Sequence, residues 1–79
     1  MSILLYMDEK KFKREALNLI AEYFGEYTKK LYIRFYEDKT TETVLASLEE
    51  LLIEMIGPEK TEKVLLPLRQ KYFLNSKND

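Results

Sequence analysis

The 79-residue chain has no cysteine, no histidine and no tryptophan, only two glycines and two prolines, and a single glutamine, Gln70. Each shortage excludes something. Without cysteine there is no disulfide. Without cysteine or histidine the usual N/S ligands of zinc are missing. Thr28, Ser47 and the tyrosine hydroxyls have no histidine to activate them as nucleophiles. Gly25 and Gly57 alone build neither a Walker loop nor a dinucleotide-binding turn, and the Glu-x-x-His signature of helical di-iron sites is absent. The chain therefore reads as a non-enzyme, with no catalytic residues, no cofactor and no metal ligands. Its longest apolar run, Ile3–Met7, falls far short of the roughly 20 residues of a membrane span. The same run is too short for a secretory signal and lacks a basic stretch ahead of it. These features describe a soluble, cytoplasmic protein.

What is present is charge, leucine and aromatic surface. Thirteen basic residues face fourteen acidic ones, for a net charge of −1. Residues 1–39 carry eight basic and seven acidic groups, and residues 40–79 carry five and seven. Neither half has the positive excess of a typical nucleic-acid-binding domain. Abundant Lys and Glu, little Gln and no Cys point to a thermophilic source. A chain of this size forms one domain and buries only about 60% of its unfolded surface. Small domains of this kind draw support from disulfides, metals or oligomers. Composition excludes the first and withholds zinc's usual ligands, and a hydrophobic content of 46% with 13% aromatics suits the third.

Read along its length, the chain shows no low-complexity tract, no repeat and no internal linker. Residues 2–7 are apolar but too few to classify by period, so they suit a first strand or an extended arm. Asp8 has the short carboxylate of an N-cap. Phe12, Ala16, Leu19, Ile20, Tyr23 and Phe24 then recur at helical spacing, with Lys10, Lys13, Arg14 and Glu22 on the wet side. Gly25 marks a break, a kink or a close contact. Glu37–Thr40 reads as a loop, with Thr40 or Thr41 as the next cap. Val44, Leu45, Leu48, Leu51, Leu52, Met55 and Ile56 form the clearest apolar stripe, with Glu42, Glu49, Glu50 and Glu54 facing out. Gly57 stops that helix and Pro58 suits the first turn of another. Val64, Leu65, Leu68 and Tyr72 extend the last helix to about Phe73, with a kink or split expected near Leu66 because Pro67 lacks an amide hydrogen. Residues 74–79 form a polar tail, expected to fray.

Six of the ten aromatic residues fall between Tyr23 and Tyr36, interleaved with Lys29, Lys30 and Arg34. As a helix, Glu26–Tyr36 places Phe24, Tyr27, Leu31 and Phe35 on one face, with Tyr32 and Tyr36 turned away. As a strand, Leu31, Ile33 and Phe35 alternate with Tyr32, Arg34 and Tyr36. Helical spacing and the lack of a tight hairpin signal favour the helix. The expected fold is an all-α bundle of three to four helices over residues 1–79, with a small α+β fold, strands near 2–7 and 30–36, as the alternative. Its expected core is Phe12, Leu19, Ile20, Phe24, Leu31, Leu48, Leu51, Leu52, Met55, Val64, Leu65 and Leu68.

This much aromatic surface exceeds what one small core hides, so the surplus is expected to meet a twin or a protein partner. Tyr and Arg are favoured interface anchors, and the expected contact surface is Tyr23, Tyr27, Lys30, Tyr32, Arg34 and Tyr36. The alternative is a small nucleic-acid-binding regulator, whose rings would stack on bases while Lys and Arg neutralise phosphates. Read as helix-turn-helix, the last two helices would present Lys60, Lys63, Arg69 and Lys71, but Glu59 and Glu62 dilute the turn that would meet the bases. The ridge of Glu49, Glu50 and Glu54 is expected to be a solvated helix face.

The run Leu19-Ile20-Ala21-Glu22-Tyr23-Phe24-Gly25, followed by Leu31, the Leu48/Leu51/Leu52/Ile56 helix and a closing Val64/Leu65/Leu68 segment, resembles small helical domains of unknown function. Those domains accompany prokaryotic signalling proteins, including Roadblock-type partners of small GTPases. The resemblance spans about residues 17–70. It carries no catalytic residue and implies a non-enzymatic interaction module.

Overall fold

Glycine divides the chain. In the computed structural model, α1 (Ser2–Phe24) ends at Gly25 and α2 (Glu26–Glu37) begins directly after it. Likewise α3 (Thr41–Ile56) ends at Gly57 and α4 (Pro58–Arg69) follows at once, continuing into a wider π-type turn, Gln70–Leu74. The structure describes the backbone of residues 2–74 and the side chains of residues 8–73, so the expectation of a frayed tail falls largely outside the described residues. Among those residues there is no strand, and the fold is the all-α bundle expected from the sequence. None of these helices is long and apolar enough to cross a membrane.

The two glycines adopt the same conformation, Gly25 at φ 99°, ψ 165° and Gly57 at φ 88°, ψ 162°. This region is essentially closed to residues with a Cβ. Both make the same two hydrogen bonds. Gly25 N–H donates to Ala21 O and its carbonyl accepts from Lys29 N–H; Gly57 N–H donates to Ile53 O and its carbonyl accepts from Thr61 N–H. Each junction thus closes one helix and opens the next with a single residue.

The junctions belong to a larger correspondence. At a separation of 32 residues, buried Phe12, Ala16, Ile20 and Tyr36 match buried Val44, Leu48, Leu52 and Leu68. The half-buried Leu19, Phe24 and Tyr32 match Leu51, Ile56 and Val64. The chain is therefore two helix–glycine–helix units, against the expectation of no repeat. Across Phe12–Glu37 only Leu19/Leu51, Glu22/Glu54 and Gly25/Gly57 are identical pairs, so the duplication lies in burial pattern rather than in residue identity.

The units meet through α1 and α3, whose buried rows share one core cluster with Tyr36, Leu45, Leu65 and Leu68. The plate so formed measures 34 × 28 × 16 Å between Cα atoms. α3 buries Val44, Leu45, Leu48 and Leu52, and Thr40 caps it by accepting from Thr43 N–H at 3.1 Å. The π-type turn returns to α1, where Tyr72 and Phe73 set their rings edge-on to Phe12 at 5.4 Å. Lys71 Nζ and the Tyr72 hydroxyl both donate to Glu15 Oε2, at 2.9 and 2.8 Å.

Several expectations are corrected. Residues 2–7 are neither strand nor extended arm, and Asp8 is not a cap, because α1 already begins at Ser2. Adding residues to an existing helix gains one hydrogen bond each without a new nucleus, and Leu and Met are good helix formers. Pro67 does not split α4 near Leu66, which stays helical to Arg69. The carbonyl that Pro67 deprives of a donor belongs to exposed Lys63, and the irregularity falls downstream, where Gln70 N–H is shared between Leu66 O and Pro67 O. Leu31 and Met55, expected in the core, are 56% and 48% exposed.

Two predictions follow from the junctions and the returning turn. A Cβ at either glycine meets nothing within 4 Å, so Gly25→Ala and Gly57→Ala cost backbone strain alone. Each lowers stability by about 1–3 kcal/mol, and urea unfolding finds the two losses equal within about 0.5 kcal/mol. The hydrogen bond from Lys71, with that from Tyr72, holds the Glu15 carboxyl below its ordinary value against the opposing effect of burial. A depressed carboxylate contributes stability above its unfolded pKa and loses it as pH falls through the folded one. Near-UV circular dichroism of the Tyr72 contact should thus fade on acidification below the ordinary carboxylate range, and Glu15→Gln should remove that step.

Candidate interaction surface

Helix α2 has apolar residues on two sides. At about 100° per residue, Tyr36 and Ile33 lie on one side, and Tyr27, Leu31 and Phe35 form an i, i+4, i+8 row on the opposite one. The core takes Tyr36, which is 1% exposed and the only fully buried residue of α2. Its hydroxyl shares a 2.9 Å hydrogen bond with Ser47 Oγ on α3. Burial pushes the Tyr36 phenol above its ordinary pKa, opposed by the Ser47 bond, so it stays neutral there. The row of Tyr27, Leu31 and Phe35 is left outside, at 75%, 56% and 48% exposure.

The outer row is braced from within. Tyr32 stands edge-on to Phe35 and to Tyr36, with centroids 5.8 and 5.3 Å apart, and Phe35 tilts against Tyr36 at 5.7 Å. Lys39 Nζ lies 4.8 Å from the centroid of Phe35 while pairing with Asp38. Rings fixed before contact lose little freedom on binding. Between α2 and α3, Leu31, Tyr32, Phe35 and Ser47 line an open groove of about 410 Å³. It continues across Tyr32 and Ser47 into a hollow bordered by Glu50, Leu51 and Glu54.

Apart from Lys39, which pairs with Asp38 at the Phe35 end, the charges beside the row are divided by sign. Lys30 and Arg34 lie on the edge of α2 away from Tyr32, whereas Glu50 and Glu54 stand across the groove on α3. Among the described residues none of these four takes a hydrogen-bond or ion-pair partner. By contrast Arg69 binds Glu49 at 3.2 Å and Glu62 at 3.6 Å, and Lys71 binds Glu15. The cations of a would-be recognition helix are thus partly engaged inside the fold, and the acidic ridge is split between an internal pair and the groove. No group of three or more His, Cys, Asp or Glu side chains among the described residues is placed to hold a metal ion.

Of the six residues expected at the surface, Tyr27, Lys30 and Arg34 are exposed and gathered on α2, and Tyr32 is half-buried at the groove. Tyr23 sits on α1, packed against the core. Tyr36 is a correction, since it is a core residue. Leu31, expected in the core, and Phe35, expected in neither the core nor the contact surface, join Tyr27 in the exposed row.

The second unit serves as an internal control. The positions equivalent to Tyr27, Leu31 and Phe35 are Glu59, Lys63 and Pro67, all exposed. The helix–glycine–helix unit therefore folds without an apolar outer row, and the row on α2 is not a requirement of the architecture. The chain matches no known protein-family profile, no curated protein and no solved structure.

The two faces of α2 predict opposite outcomes. Tyr36→Ala removes a fully buried ring and strands Ser47, for a loss of about 3–5 kcal/mol. Leu31→Ser changes monomer stability by no more than about 0.5 kcal/mol. Urea unfolding at high dilution checks both, and equal losses would contradict this assignment of faces.

Proposed function

We propose that this protein is a non-catalytic protein-interaction module that self-associates through the outer face of α2. The observation that carries the reading is the exposed row of Tyr27, Leu31 and Phe35, set where the second unit carries Glu59, Lys63 and Pro67. An apolar patch rimmed by charge is a common mark of a protein contact, and Tyr with flanking Arg is a favoured anchor set. Small size without disulfides supports the same reading, as does the resemblance to helical partners of signalling proteins. A nucleic-acid role has less support. The cleft with the most cations, along Lys10, Lys13 and Arg14, is also lined by Glu9 and Glu37, and the net charge is −1.

Light scattering over a dilution series tests the proposal. The native chain should approach twice the chain mass at high concentration. Leu31→Glu should keep it at the single-chain mass with its helical circular dichroism intact. A dimer indifferent to Leu31→Glu would move the interface elsewhere, and a single-chain mass at every concentration would remove self-association.

A further inference from the structure

The division of charge across the α2 row selects between the two ways a twin can sit on it. Resting on the self-association proposed above, we infer that the occupant is a second copy whose α2 runs parallel to the first, with each copy's Lys30/Arg34 edge facing the other's Glu50/Glu54 edge.

A closed pair of identical chains has a two-fold axis, and the same patch is used by both. For two faces laid together the axis lies in the plane of contact. An axis perpendicular to α2 makes the helices antiparallel and leaves each edge facing its own copy. Lys30 and Arg34 would then oppose Lys30 and Arg34 of the twin, and Glu50 and Glu54 would oppose theirs. An axis along α2 makes the helices parallel and exchanges the edges, so basic faces acidic on both sides of the row. Like charges brought together at an interface are costly, and complementary ones fix its register. The four charges are free to do this because none takes a partner among the described residues. In the parallel pair Tyr27, Leu31 and Phe35 each meet their own counterpart, as the seam residues of a parallel coiled coil do.

The absence of cysteine from the chain makes the geometry directly testable by disulfide mapping in the full-length protein. A disulfide needs Cα atoms within about 7 Å. Under mild oxidation, Tyr27→Cys alone and Phe35→Cys alone should each cross-link as homodimers. An equimolar mixture of the two should yield little of the mixed product. Leu31→Cys cross-links in either orientation and reports that the face is used at all. A mixed Tyr27→Cys/Phe35→Cys product in place of the two homodimers would overturn the parallel arrangement while leaving self-association standing. Failure of Leu31→Cys to cross-link, with a single-chain mass by light scattering, would sink both. Charge reversal gives an independent reading that does not alter the row. Lys30→Glu with Arg34→Glu should weaken self-association at least about tenfold, as should Glu50→Lys with Glu54→Lys, and mixing the two variants should restore it. In the antiparallel pair each reversal merely exchanges one like-charge contact for another, so unchanged affinity of the single variants would also overturn the inference.

Discussion

Two rows of side chains carry this molecule: Phe12, Ala16 and Ile20 on α1, and Val44, Leu48 and Leu52 on α3. Each follows the i, i+4, i+8 line that lets one helix bury a narrow stripe against another. The remainder depends on that seam. The π-type turn reaches back to Phe12, Tyr36 closes the cluster from α2, and Leu65 with Leu68 closes it from α4. With no cysteine to form a disulfide, this seam ties the two units together.

The two short helices contribute unequally to the core, and the inequality creates the candidate site. α4 fully buries Thr61, Leu65 and Leu68, whereas α2 fully buries Tyr36 alone. In a plate only 16 Å thick between Cα atoms, a helix with one buried side chain keeps its other side in water. On α4 the corresponding side carries Glu59, Lys63 and Pro67. On α2 it carries Tyr27, Leu31 and Phe35, already braced by Tyr32. The architecture sets which positions face out, and the residue types placed there distinguish one unit from the other.

The helices were largely legible in the sequence because their signals are local. Thr40, Gly57 and Pro58 act through their immediate neighbours, and the Val44–Ile56 stripe has a single apolar side, so its period also gives its direction. α2 was legible as a helix but not in orientation. It offers two apolar sides, and period alone does not say which one meets the core. The decision rests on Ser47, eleven residues beyond Tyr36, whose hydroxyl satisfies the Tyr36 phenol inside the fold. That pairing moved Tyr36 from the expected surface to the core and sent Leu31 the other way. The duplication was hidden for a different reason. It keeps the burial of the α1 and α3 rows and of one position on each short helix rather than chemistry, with Phe12 answered by Val44 and Tyr36 by Leu68.

The short length of α2 also links association to folding. A helix of 12 residues is marginal in water by itself, and here Gly25, Tyr36 and the aromatic contacts hold it against the plate. In the proposed pair the twin covers the side that the chain leaves open. Whatever binds the folded state and not the unfolded one stabilises it by mass action. The outer row would then be a liability for the isolated chain and a source of stability for the pair. This coupling supplies what the composition withholds. A chain without cysteine has no disulfide to reinforce a small core, and in the proposed pair a second copy seated on α2 would reinforce it.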